Sequence, residues 1–115
     1  MTSQTPNEPF QRISAEKAKE MIDRGDIELV DVRQPNEFAS VRLSGAKLIT
    51  VDALYERIGE VDDDKDVIFY CAVGVRSALA CEIGAAMGRT RCFNMEGGIE
   101  AWRALNFPVE TGAPV

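Results

Sequence analysis

Cys71 closes the apolar run Val67–Tyr70 and opens the stretch Cys71-Ala72-Val73-Gly74-Val75-Arg76, which runs on through Ser77 into a helix-like pattern. A cysteine followed by a short glycine-bearing loop, an arginine and a helix start suits a nucleophilic thiolate. Loop and helix-start N–H groups turn toward one point and favour an anion there. Helix N-termini and a neighbouring arginine lower a cysteine pKa from roughly 8.5 to about 3.5–7.5. Gly74 allows a positive φ or a close backbone approach, Arg76 supplies a cation, and Ser77 can support the first helical turn. A second reading stands beside this one. Cysteine is among the most often buried residues, and the end of a core strand is an ordinary place for it.

The chain contains no histidine. That removes Cys-His pairs, Ser-His-Asp triads and most zinc sites, so a nucleophile here must be activated by backbone and cation. No metal or cofactor is expected. Cys71, Cys81 and Cys92 form an odd set without a CxxC pair, which suits reduced thiols better than a disulfide framework. Cys81, four residues after Ser77, and Cys92, inside "RCFNM", have core-like spacing and are expected to pack rather than react.

The elements that must hold the loop follow from periodicity. Ser14 can cap a helix over "AEKAKEMIDR" that ends at Gly25, with Ala15, Ala18, Met21 and Ile22 on one face. "IELVDV" reads as a buried strand, "PNEFASV" as a short helix begun by Pro35, and "KLITV" as another strand. "DALYERIGEV" is amphipathic through Leu54, Ile58 and Val61, and "DDDKD" is a solvated turn. "VIFYC" is the strongest buried strand, "SALACEIGAAMG" a small-residue helix, "RCFNM" a last strand and "GGIEAWRALNF" a terminal helix. Alternation of strand and helix predicts an α/β fold around a mainly parallel sheet, with ligands outside the carboxyl ends of the strands, where Cys71 falls.

With 115 residues, 45% of them apolar, the chain is sized for one globular domain. Residues 1–9 read as a flexible tail and residues 10–115 as the domain. A net charge of −6 argues against nucleic-acid partners. No apolar run nears the roughly 18 residues that cross a bilayer, and the polar N-terminus lacks a secretory pattern, so a cytoplasmic protein without membrane association is expected.

Four segments in order resemble the single-domain rhodanese-like (thiosulfate sulfurtransferase) family. "LVDVRQPNEF" resembles its Asp-Val-Arg segment with a downstream Glu-aromatic pair, here Asp31, Val32, Arg33, Glu37 and Phe38. "RLSGA" stands where the family has His-Ile-Pro-Gly-Ala, "CAVGVRS" resembles its active-site loop, and "MEGGIEAWRALNFPV" resembles its ending through Gly97, Gly98, Trp102, Pro108 and Val109. The resemblance implies a small α/β domain whose central, mainly parallel sheet is flanked by helices on both faces. It also implies sulfane-sulfur transfer. Cys71 would take sulfur from a donor such as thiosulfate, hold it as a persulfide, and pass it to cyanide in an assay or to a cellular thiol, including that of a sulfur-accepting protein. Backbone N–H groups from Ala72, Val73, Gly74, Val75 and Arg76 would bind the substrate and stabilise thiolate and persulfide. The loop is one residue shorter than in the related arsenate-reductase and cell-cycle phosphatase branch, which favours sulfur over tetrahedral oxyanions. The other reading is a rhodanese-fold sulfur carrier or regulatory module without turnover.

Arg42 and Ser44 replace the family's usual histidine and proline, and Asn106 replaces a common glycine; these changes bear on loop packing. Ala72 and Val73 are uncharged where thiosulfate-preferring members often carry a basic residue, which leaves the donor open. Asp31 and Arg33 are expected to brace neighbouring loops as a pair, and Arg42 to be a solvated loop arginine. Trp102, Ala101 and Leu105 form the apolar face of the terminal helix, and Gly97 with Gly98 make a tight strand-to-helix turn.

Overall fold

The computed structural model describes residues 8–112. Strand β1 (Gln11–Ile13) leads into α1 (Ala15–Arg24), β2 (Ile27–Asp31), α2 (Pro35–Ser40), β3 (Val41–Arg42) and β4 (Lys47–Leu48). Then follow α3 (Leu54–Arg57) with a 3₁₀ turn (Ile58–Glu60), β5 (Asp66–Tyr70), α4 (Val75–Ala86), β6 (Cys92–Met95), α5 (Gly98–Ala104) and β7 (Glu110–Thr111). Five strands form one parallel sheet in the order β1-β6-β5-β2-β4, and β3 pairs with β7 in a separate antiparallel ribbon. The expected 1–9 tail lies, for residues 1–7, outside the described residues; of the rest, Glu8 accepts a forked bond from Arg12.

Parallel strands covered on both faces must be apolar throughout, which is why β5 reads as an unbroken run. Its side chains alternate. Val67, Phe69 and Cys71 join one core with Val30, Val32, Leu54, Ala80 and Cys81, while Ile68 and Tyr70 join the other with Leu29, Ala18, Met21, Ile99 and Trp102. Helices α3 and α4 thus cover one face and α1 and α5 the other, as expected. Burial of each large side chain contributes about 1.5–3 kcal/mol. Ser14 accepts the N–H of Lys17 at 3.0 Å to start α1, and Gly25, at φ 94°, ends it.

Three local readings need correction. The segment read as "KLITV" keeps only Lys47–Leu48 as regular strand, although the N–H groups of Ile49 and Val51 continue the ladder onto Asp31 and Val32. The amphipathic "DALYERIGEV" is one α-helical turn and one 3₁₀ turn, because the segment must bring Leu54 and Val61 into one core over a short path. Strands β1, β3 and β7 carry two or three residues each and have no periodic signal to read. At the end of α5, Asn106 takes φ 60°, the left-handed conformation that glycine adopts readily and asparagine tolerates. Leu105, expected on the apolar face of α5, is exposed.

Candidate functional site

Cys71 is the first residue beyond β5, at the carboxyl end of the sheet. The loop after it is shaped by what happens to its carbonyls. Those of Cys71 and Ala72 point outward and accept the N–H groups of Ile99 and Glu100, at 2.9 and 3.2 Å, from the first turn of α5. The following N–H groups are therefore free to turn inward. Gly74 donates to Cys71 Sγ at 3.1 Å and Ser77 donates to it at 3.4 Å. Gly74 itself has φ 98° and caps α4, and a Cβ there would come within 3.2 Å of the Gly97 nitrogen. A Cβ on Gly98 would overlap the carbonyl groups of Cys71 and Ala72. The two glycine turns are packed backbone against backbone, which only residues without side chains allow.

Ser77 does more than support the helix start expected of it. Its hydroxyl lies 3.4 Å from Cys71 Sγ and donates to Asn94 Oδ1 at 2.5 Å, while Asn94 Nδ2 donates to the Gly74 carbonyl at 3.1 Å. Asn94 is fully buried at the end of β6. It was missed in the sequence; the signal was one amide in an otherwise apolar strand. Burial raises the Cys71 pKa, but the Ser77 hydroxyl and the N–H groups of Ser77, Gly74 and Val73 outweigh it and hold the thiol below its ordinary value. Ser77 has a single proton, so to bond a thiolate it must leave Asn94; the backbone N–H groups are the standing support. Cys81 and Cys92 are buried without such donors; burial raises both, Cys92 to about 11. Both pack as expected.

Residues 14–105 match the rhodanese-like domain family. The chain belongs to the rhodanese-like family. It is 35% identical over 102 residues to the thiosulfate sulfurtransferase GlpE of Ectopseudomonas mendocina, covering 89% of this chain and 92% of that one. It is 34% identical over 92 residues to a sulfurtransferase of Allochromatium vinosum, covering 80% and 86%. A rhodanese-related protein of Thermoplasma volcanium superimposes with a TM-score of 0.80 at 30% identity, over 87% of this chain and 97% of that structure. These relatives support a sulfurtransferase-type enzyme.

Around this rhodanese-like loop Arg76 and Arg42 behave differently from expectation, while Arg33 pairs with Asp31 as expected. Arg76 makes no hydrogen bond to the sulfur and forks onto Glu37, Nη1 to Oε1 at 2.8 Å and Nη2 to Oε2 at 3.1 Å. The guanidinium holds the Glu37 carboxyl at about 2, helped by the Gln34 N–H. The Asp31–Arg33 pair is buried and bidentate, and Arg33 also donates to the Val41 carbonyl at 2.6 Å, bracing β2 against β3. Arg42 is not solvated. It is 8% exposed and donates to the carbonyls of Phe38 and Gly112, with Glu110 at 3.5 Å. Its main partners lie on β7 and just beyond, so no local pattern could announce its burial.

Val73 and Val75 are exposed on the loop, as is Leu79 one turn along α4 from Val75. Trp102 packs as expected, its Nε1 donating to the Pro108 carbonyl at 2.8 Å. A broad cleft of about 290 Å³, lined by Ile22, Ile27, Glu28, Lys47 and Lys65, lies where β2 begins, at the opposite end of the sheet from Cys71. No cysteine lines it. No helix among the described residues is long and apolar enough to cross a membrane.

Proposed function

We propose that the protein is a sulfurtransferase in which Cys71 carries sulfane sulfur as a persulfide between a donor such as thiosulfate and a thiophilic acceptor. The observation that carries this reading is the pair of N–H groups, from Gly74 and Ser77, aimed at Cys71 Sγ in a loop that lowers its pKa. The thiolate attacks the outer sulfur of the donor. A new S–S bond forms at Sγ, the donor's S–S bond breaks, and sulfite departs with the electron pair. In the second step an acceptor thiolate or cyanide attacks the outer sulfur of the persulfide and Cys71 leaves as a thiolate. The same N–H groups stabilise the anion at the start and at the end of the cycle, so no histidine base is required.

The loop from Ala72 to Arg76 frames the sulfur, with Gly74 and Val73 contributing N–H groups. Cys71 is only 1% exposed, which favours a donor that presents one terminal sulfur end-on over a bulky tetrahedral oxyanion. The acceptor is a small thiol or the cysteine of a sulfur-accepting protein.

The test is intact-protein mass spectrometry after incubation of the reduced protein with thiosulfate, then peptide mapping. A single added sulfur on Cys71, removed by cyanide and absent from Cys71→Ser, supports the reading. No adduct from thiosulfate or from a polysulfide on folded protein would leave a non-catalytic regulatory module as the better account.

A further inference from the structure

The Cys71–Arg76 loop holds one cation, Arg76, and that cation is already neutralised. Its guanidinium is spent on both oxygens of Glu37. Arg33 is likewise committed to Asp31, and Arg42 to two backbone carbonyls and Glu110. The loop surface beyond the sulfur is aliphatic: Val73 is 54% exposed and Val75 73%. A thiolate beside a neutral ion pair and an apolar rim repels a dianion and loses nothing to an uncharged donor body.

Resting on the Cys71 sulfur-transfer reading, we propose that Glu37 is a specificity-determining residue: by neutralising Arg76 it makes the site select organic hydropersulfides over dianionic thiosulfate. With a hydropersulfide R–S–SH, the Cys71 thiolate attacks the outer sulfur. The Sγ–S bond forms, the donor S–S bond breaks, and R–S⁻ leaves with the electron pair while the proton stays on the transferred sulfur. No external oxidant or reductant enters. Relative to the thiosulfate reaction the leaving group is R–S⁻ in place of sulfite, and the donor brings less charge to the mouth; the variants isolate the second difference because the donors stay the same.

The decisive experiment compares single-turnover loading of Cys71 by thiosulfate and by the hydropersulfide of N-acetylcysteinamide, whose body is uncharged. Rates are read by intact mass in the unaltered protein, Glu37→Gln and Val73→Lys, at low and high salt. Gln retains an oxygen for the Gln34 N–H that Glu37 accepts at 3.0 Å, so the start of α2 is kept. The unaltered protein loads faster from the hydropersulfide. Glu37→Gln, which leaves Arg76 uncompensated, raises the thiosulfate-to-hydropersulfide rate ratio roughly tenfold, an increase that shrinks as salt is added. Val73→Lys raises the same ratio by adding a cation without touching Glu37, and it decides the matter if Glu37→Gln folds poorly. Faster loading from thiosulfate in the unaltered protein, or an unmoved ratio in the variants, overturns the inference while leaving sulfur transfer intact. Failure of both donors to load Cys71 instead defeats the sulfur-transfer reading itself.

Discussion

Ser77 and Asn94 share a short hydrogen bond, Oγ to Oδ1 at 2.5 Å, beside the sulfur of Cys71. The Asn94 amide is oriented by its bond to the Gly74 carbonyl, so its oxygen has to accept, and the Ser77 proton goes to it. A neutral Cys71 can donate to the Ser77 oxygen; an ionised one needs that proton turned toward it.

Ser77→Ala removes the hydroxyl and keeps the backbone N–H. The pH midpoint for alkylation of Cys71 is expected to rise, because a donor to the charged form is lost. Rates of iodoacetamide labelling between pH 6 and 10, read on the Cys71 peptide, give the answer. A midpoint that stays put would assign the lowered pKa to backbone alone.

Gly98→Ala is expected to be costly on two grounds. Its φ of 59° disfavours a side chain, and the new Cβ overlaps the Cys71 and Ala72 carbonyls. A loss of about 2–4 kcal/mol in urea unfolding is expected, with slower Cys71 labelling as the loop shifts. Gly59→Ala, where a Cβ meets nothing within 4 Å, is the control.

Arg33→Ala leaves Asp31 buried without its partner and is expected to cost about 3–5 kcal/mol. The double change Asp31→Leu with Arg33→Leu should lose less than that, since no buried charge is then stranded. Urea melts of the two proteins distinguish a brace from a pair that drives folding.

The Glu37–Arg76 pair also has a pH signature. The Glu37 carboxyl is held at about 2 in the folded protein, below its ordinary 4.5. A lowered acid pKa stabilises the fold above the unfolded value and loses that contribution as pH falls from about 4.5 toward 2. Glu37→Gln should therefore flatten the fall of Tm across that window and leave its course above pH 6 parallel. The partial exposure of both side chains keeps the effect small.

Much of this arrangement is legible in the residues. Ser14 and Gly25 bound α1, Pro35 opens α2, and the unbroken Val67–Tyr70 run marks the central strand, because caps and burial are local properties. Gly74 was readable as a positive-φ position. What could not be read were partners distant in the chain: Asn94 reaching Ser77 from β6, Glu37 claiming Arg76 from α2, and Arg42 finding the Gly112 carbonyl. Ser77, Arg76 and Arg42 have local roles to be read from their own neighbours, and tertiary hydrogen bonding redirects them. Asn94 has no local signal beyond being an amide in an apolar strand.

Arg42 reaches a carbonyl 70 residues further along the chain, at Gly112, with a 2.6 Å bond. Trimming the protein before residue 110, as one might to tidy an apparently loose end, would therefore strip β3 of its companion strand and leave a nearly enclosed guanidinium short of an acceptor and its nearby carboxylate. Strand β7 and Gly112 behave as a latch for the segment that follows α2, and expression tags are better tethered beyond them by a spacer than joined in their place.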